Sequence, residues 1–284
     1  MNQQSDREKI IVSLTTYSKR IENLPRVLDT IYAQTLPPDL VVVNLAIEEV
    51  IPEEVQLYLN THHVEINRVP DTKVYKKLIP TMKKYPGDCI ITIDDDFLYP
   101  RDMIADFMSV HHQYPDFPIS GNKTVLWGLQ CHCGCASLTK SIYLGDYIDC
   151  IDDAVMKNCL SDDLVYSYFS NRNGHPYIRT HEMYFTNMPS YNEGVGYTAV
   201  TNAGQGIYDS YKYLVGRFGE IDNCINHYVK DEYLNGLMDS IVKSYRRMGH
   251  QEGREYVYSS LSYRLGECIL KPLRRIRTLW AGKK

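Results

Sequence analysis

Short apolar runs alternating with amphipathic segments leave this chain few folds to choose from. IIVSLT (10–15), LVVVNLA (40–46), VEINRV (64–69) and CIITID (89–94) each have the length of a strand. Between the first two, Leu24, Val27, Leu28 and Ile31 recur at helical spacing. IPEEVQLYL and the stretch around VYKKLIPTMKKY separate the later runs, and Pro80 either opens a short helix there or kinks a longer one. LVVVNLA and CIITID are apolar almost throughout, the pattern of strands covered on both faces. The alternation predicts an α/β chain built on a mostly parallel sheet flanked by helices. Ligands in such sheets bind beyond the carboxyl ends of the strands. The segments expected there are 15–20, 71–77 and 94–96, all polar and rich in charge.

The densest of these is the run Asp94, Asp95 and Asp96 at the end of CIITID. Three adjacent carboxylates repel one another and raise their own pKa values unless a cation neutralises them. Oxygen ligands of this kind suit magnesium or manganese, which also bind substrate phosphates. The alternative is an acidic turn capping a helix that starts near Arg101. A second acidic pair, Asp162 and Asp163, follows Ser161 and precedes the helical run LVYSYF. That too fits a helix cap, while a carboxylate at such a position could also take a proton from an acceptor hydroxyl.

Three stretches taken together resemble one family. VSLTTYSKRIENLPRVLDTIYAQTLPPD, DTKVYKKLIPTMKKYPGDCIITIDDDFLYPRDMI and SDDLVYSYF are similar, in order and spacing, to bacterial GT-A glycosyltransferases that build capsule, lipopolysaccharide or exopolysaccharide (family-2-like). The resemblance spans residues 10 to about 172. It implies a nucleotide-sugar donor, UDP-linked by expectation, a divalent metal (Mn2+ or Mg2+), and a glycan or lipid-linked saccharide acceptor. It places Asp94 and Asp95 toward the nucleotide, with Asp96 and Asp94 at the metal. LTTYSKR resembles the loop around the nucleobase, which nominates Thr15, Thr16, Tyr17 and Arg20. DTKVYKKLIP resembles the segment that contacts nucleotide and phosphate, which nominates Lys73, Lys76 and Lys77. The same comparison implies that Asp163 is the catalytic base of an inverting enzyme and Asp162 a supporting residue for acceptor or metal.

The rest of the chain carries weaker signals. Cys131, His132, Cys133, Gly134 and Cys135 suggest zinc, but no second ligand pair follows at the usual spacing, so an extended strand with three cysteines on one face is expected. His181 and His227 are possible additional metal ligands. The stretch 192–206, NEGVGYTAVTNAGQG, reads as a lid over the donor. Helical patterning from Val229 gives an expected division into a GT-A domain, 1–220, and a helical extension, 221–284.

Charge is uneven along the chain. Residues 268–284 hold six basic side chains and no acidic ones, so a net charge of −4 overall leaves −10 on the other 267 residues. That balance argues against a nucleic-acid partner. Ile269, Leu270, Leu273, Ile276, Leu279 and Trp280 can share one face of a basic helix, a pattern suited to an anionic membrane surface. With no secretory signal read at the start and no long apolar run, the expected location is the cytoplasmic face of the cell membrane, peripherally attached, with the eight cysteines as free thiols. Two rivals are a sugar-phosphate nucleotidyltransferase, disfavoured because LTTYSKR lacks glycine, and a non-catalytic scaffold of the same fold, disfavoured by the two intact acidic clusters.

Overall fold

The computed structural model describes residues 8–126, 129–132, 134–180, 186–187 and 203–221. The chain separates into two compact units, one formed by 1–123 with 131–222 and one by 124–130 with 223–284. Nearly all the described residues belong to the first.

That unit is an α/β sandwich. Strands β1 (Ile10–Thr15), β2 (Leu40–Ala46), β3 (Glu65–Val69) and β4 (Cys89–Ile93) pair in parallel, with β1 between β4 and β2 and β3 beyond β2. Strand β9 (Ala136–Thr139) runs antiparallel to β4, and β6 (Ile119–Ser120) antiparallel to β9. With β10 (Ile178–Arg179) outermost, the seven-stranded order is β10-β6-β9-β4-β1-β2-β3. Shorter pairs join β5 (Phe97–Leu98) to β11 (Thr186–Asn187), and β7 (Lys123–Leu126) to β8 (Leu129–His132). The sheet is thus mostly parallel and mixed at one side, and its central strands β1, β2 and β4 are buried nearly throughout.

Helix α1 (Leu24–Tyr32) buries Leu24, Val27, Leu28 and Ile31, the four residues whose spacing marks it as helical. Pro25 sits in its first turn, where a missing N–H costs nothing. Helix α2 (Glu53–Thr61) follows β2, and α3 (Ile79–Lys84) precedes β4. Pro80 opens the short helix α3, and residues 73–77 before it form a 3-10 turn. Helices α4 (Met103–Gln113), α5 (Ser141–Leu144), α6 (Asp153–Asn158) and α7 (Asp162–Arg172) complete the outer layers. The last described helix, α8 (Ala203–Phe218), packs on α6 and α7 through Ser210 and Leu214. It takes up the end of the expected lid: residues 203–206 are its first turn, and 192–202 lie outside the described residues. Among the described residues no helix is long and apolar enough to cross a membrane.

A buried polar network ties the segment before α3 to the sheet. Ser13 Oγ donates to the Lys77 carbonyl at 2.6 Å and lies 2.7 Å from Thr81 Oγ1. Asn44 Nδ2 donates to both hydroxyls, at 3.1 and 2.9 Å, and its Oδ1 accepts from Asn67 at 2.8 Å. A half-satisfied buried network is costly, so each member holds the others in place. Asn44→Ala should lower unfolding free energy by about 2 kcal/mol in urea denaturation, because two buried hydroxyls lose a donor. A loss below about 0.5 kcal/mol would mean that water replaces the amide.

Candidate active site

Two acidic segments 66 residues apart meet at the carboxyl edge of β4, through ion pairs of Asp94 and Asp162 with one lysine. Asp94, Asp95 and Asp96 leave β4 and are separated from α4 by β5. Helix α4 begins at Met103 behind Asp102, so the three aspartates do not cap it. Tyr99 turns back beneath them: the Asp94 N–H donates to its hydroxyl at 2.8 Å. That hydroxyl lies 3.0 Å from the carbonyls of both Asp94 and Cys135.

Asp95 and Asp96 face the loop after β1. Arg20, itself buried, pairs its Nη2 with Asp95 Oδ1 and, at 2.8 Å, with Asp96 Oδ2. Thr16 Oγ1 donates to Asp95 Oδ2 at 2.6 Å. Even so, burial pushes the Asp95 carboxyl up to about 7, with Arg20 and Thr16 opposing and Asp96 and Asp94 reinforcing the rise. Burial also raises Asp96, against the Arg20 charge. Tyr17 lies close enough to sense Arg20, Asp95 and Asp96, although burial is the main reason its phenol is raised.

Lys77 holds the other half. Its Nζ lies 3.2 Å from Asp94, 3.2 Å from Asp162 and 3.6 Å from Asp163. Burial alone would lower the ammonium, but Asp162, Asp94 and Asp163 outweigh it and hold it well above its ordinary value. The two carboxylates at the start of α7 differ in access: the Asp162 side chain is 8% exposed and that of Asp163 22%. Burial drives Asp162 up to about 7 despite Lys77, with Asp163 and Asp94 adding to the rise. Burial pushes Asp163 upward as well, but His132, Lys77 and the Gly134 N–H outweigh it and keep that carboxyl below the usual range. Ser161 caps α7 by accepting from the Leu164 N–H at 3.3 Å, leaving both aspartates for the site.

Behind Asp163 stands His132, which sequence patterning sets on the face opposite the three cysteines as a residue that could touch acceptor. Its Nε2 is 3.3 Å from Asp163 Oδ1, and the Gly134 N–H donates to Asp163 Oδ2 at 2.9 Å. The cysteine segment is not one extended strand. Strand β8 ends at His132, β9 begins at Ala136, and Gly134 and Cys135 both have positive φ, 65° and 62°. That turn lets Gly134 reach Asp163 while the Cys135 N–H donates to Asp94 Oδ2 at 3.1 Å. Cys133, His181, His227 and the basic segment 268–284 lie outside the described residues.

The remaining nominated residues make other contacts. Thr15 Oγ1 donates to the Asn44 carbonyl at 2.7 Å, within the sheet. Lys73 and Lys76 both pair with Asp71, Lys76 buried and Lys73 exposed. Tyr99, Gly134 and Cys135 could not be found by residue type, because two of them act through backbone groups and Tyr99 acts on backbone groups.

Five carboxylates therefore face two fixed cations, a formal excess of three negative charges. Burial is the main reason Asp95 and Asp162 are raised, and the neighbouring carboxylates add to the rise. Asp94 and Asp96 offer carboxylate oxygens of the kind that could hold a hard divalent cation, although Lys77, the Cys135 N–H and Arg20 engage them in this structure. A different trio, Glu8, Cys89 and His111, brings its ligand atoms within 4.8 Å. Glu8 is already paired there with Lys140, and burial raises the Cys89 thiol, which opposes the thiolate a metal needs.

No protein-family model matches the sequence, and no curated protein matches it either. Solved structures do. A mannosyltransferase from Pyrobaculum calidifontis, PcManGT, solved in complex with GDP-Man and Mn2+, superposes with a TM-score of 0.58 at 17% identity, covering 99% of this chain and 89% of that one. TarS of S. aureus, residues 1–349, superposes with a TM-score of 0.53 at 9% identity, covering 86% and 74%. The likeness to a 4-diphosphocytidyl-2C-methyl-D-erythritol synthase, TM-score 0.43, is too low to carry an argument. At these identities the comparisons establish the fold: this chain is built on the mixed α/β GT-A framework.

Asp162→Asn tests the charge imbalance. With its folded pKa raised above the unfolded value, Asp162 contributes stability that is full below pH ~4 and is lost as pH rises through about 7. The metal-free variant should therefore match the parent in urea denaturation near pH 4 and be about 2 kcal/mol more stable at pH 8. Equal stability at pH 8 would mean that Lys77 fully compensates the carboxylate.

Proposed function

We propose that this chain is a glycosyltransferase that moves a sugar from a nucleotide diphosphate donor to a hydroxyl of a glycan or lipid-linked acceptor. One observation carries the reading: two distant acidic segments converge around Lys77 at the carboxyl edge of a parallel sheet. Its support is the GT-A framework shared with a mannosyltransferase that binds GDP-Man and Mn2+.

Asp94 and Asp96 would hold the divalent cation, which when bound supplies positive charge beside the departing diphosphate. Arg20 fixes Asp95 and Asp96 against the loop that carries Thr16 and Tyr17, so the donor's nucleoside meets a preset surface. Lys77 holds the two acidic segments at a fixed separation. Asp163, the more exposed of its pair, is the carboxylate an acceptor hydroxyl can reach, and it takes that hydroxyl's proton as general base. The acceptor oxygen deprotonated by Asp163 would attack the anomeric carbon from the face opposite the departing diphosphate, which gives inversion. The donor is proposed to be UDP-linked from the sequence resemblance, and Lys73 and Lys76 to meet its phosphates. Residues 268–284 are proposed to hold the enzyme on the anionic cytoplasmic face of the membrane, where a lipid-linked acceptor resides.

A thermal-shift screen tests the donor reading. A UDP-sugar with Mn2+ should raise Tm by several degrees, and the shift should vanish in Asp96→Ala and in the presence of a chelator. Lack of response to any of a panel of UDP-, GDP- and CDP-linked sugars would sink the assignment. The membrane reading has its own check: the full chain should co-sediment with phosphatidylserine vesicles at low salt, and a chain ending at residue 267 should remain in solution. Equal sedimentation of both would remove the tail from the account.

A further inference from the structure

Ser120 dictates how the His132 ring is protonated. The Ser120 hydroxyl donates to the Asn122 carbonyl oxygen, which can only accept. Ser120 also accepts from the Asn122 N–H at 3.2 Å. Its hydroxyl proton is thus committed, so the 2.9 Å contact with His132 Nδ1 requires the ring to donate. The neutral ring then carries its proton on Nδ1 and presents a bare lone pair on Nε2. That lone pair faces Asp163 Oδ1 across 3.3 Å, an acceptor set against an acceptor. The contact is satisfied once a single proton is placed in it.

We propose that His132 is the resting place of the proton that Asp163 removes from the acceptor hydroxyl, with Ser120 keeping Nε2 free to receive it. The inference rests on the transferase reading above for the origin of that proton. In the step, the acceptor O–H bond breaks and its proton passes to Asp163. The oxygen's electron pair forms the new bond to the anomeric carbon, as the bond from that carbon to the diphosphate breaks and its pair leaves with the phosphate. The proton then crosses from Asp163 to Nε2, giving an imidazolium and restoring the carboxylate. Water takes it from the ring as products leave.

The surroundings favour such a transfer. His132 once it carries a proton, Lys77 and the Gly134 N–H all hold Asp163 below the usual carboxylate range, so it is a weak base. The ring is held by its neighbours: Tyr177 stacks on it at 5.8 Å between centroids, and its backbone N–H donates to Ser167 Oγ at 3.0 Å. The charged groups facing it are Asp163 from α7, Lys77 from the 3-10 turn and Asp94 from the end of β4. Burial lowers its pKa and Asp163 opposes that, while the aspartate's proximity gives an imidazolium formed in turnover a direct partner.

The first measurement needs no substrate. Nitrogen-15 NMR of the histidine rings in the full chain should find His132 neutral and protonated on Nδ1 at pH 8. Ser120→Ala should move the ring proton to Nε2, and Asp163→Asn should make the ring titrate at lower pH than in the parent. Protonation on Nε2 in the parent would overturn the proposal, since the ring would then be a donor fixed to Asp163. The second measurement follows hydrolysis of UDP-glucose and GDP-mannose with Mn2+. His132→Gln should lower kcat about tenfold and move its acidic limb to lower pH, while KM for the donor stays unchanged. An unaltered pH profile would overturn the proposal equally. If neither sugar is turned over by the parent, it is the donor assignment that suffers, and the ring spectra decide the case for His132.

Discussion

A buried ammonium with three carboxylates around it is the contact on which this site is built. Lys77 sits in the 3-10 turn that precedes α3, while its partners come from the end of β4 and the start of α7. Removing such a charge from water is costly, and it is tolerated only where opposite charges compensate it closely. Compensation here is excessive, because three anions surround one cation and Arg20 meets two more. Burial, reinforced by the neighbouring carboxylates, keeps Asp95 and Asp162 partly protonated near neutrality.

The frame that holds Lys77 is polar as well. Its own carbonyl is bound by Ser13 in the middle of β1, and Asn44 on β2 binds Ser13 and Thr81 together. Position along the chain is thus converted into position in space by hydrogen bonds that cross from helix layer to sheet. On the opposite side, Tyr99 and the Gly134–Cys135 turn anchor the aspartates through main-chain groups. A site assembled this way is held in place by its own hydrogen bonds and ion pairs.

Much of this frame could be read from residue order. Apolar runs mark β1, β2 and β4, the spacing of Leu24, Val27, Leu28 and Ile31 marks α1, and Pro80 marks the start of α3. The aspartate runs announce themselves by repulsion that something must relieve. Strands of two to four residues, β5 to β11, carry too little periodicity to be seen, since their pairing is decided by distant partners. Helix α8 was hidden by Gly204, Gly206 and Gly216, which weaken local preference, and it is held by packing on α6 and α7. The partners of Arg20, Lys77 and His132 lie tens of residues away, and no local pattern encodes them.

Helix α7 is buried along most of its length, from Leu164 to Asn171 and at Asp162, and it carries the acidic pair at its first turn. An element enclosed in this way cannot be reshaped without disturbing the core. Substitutions are therefore tolerated more readily in the loops around the acidic pair than in the helix that carries it. Change in those loops leaves the placement of Asp162 and Asp163 intact.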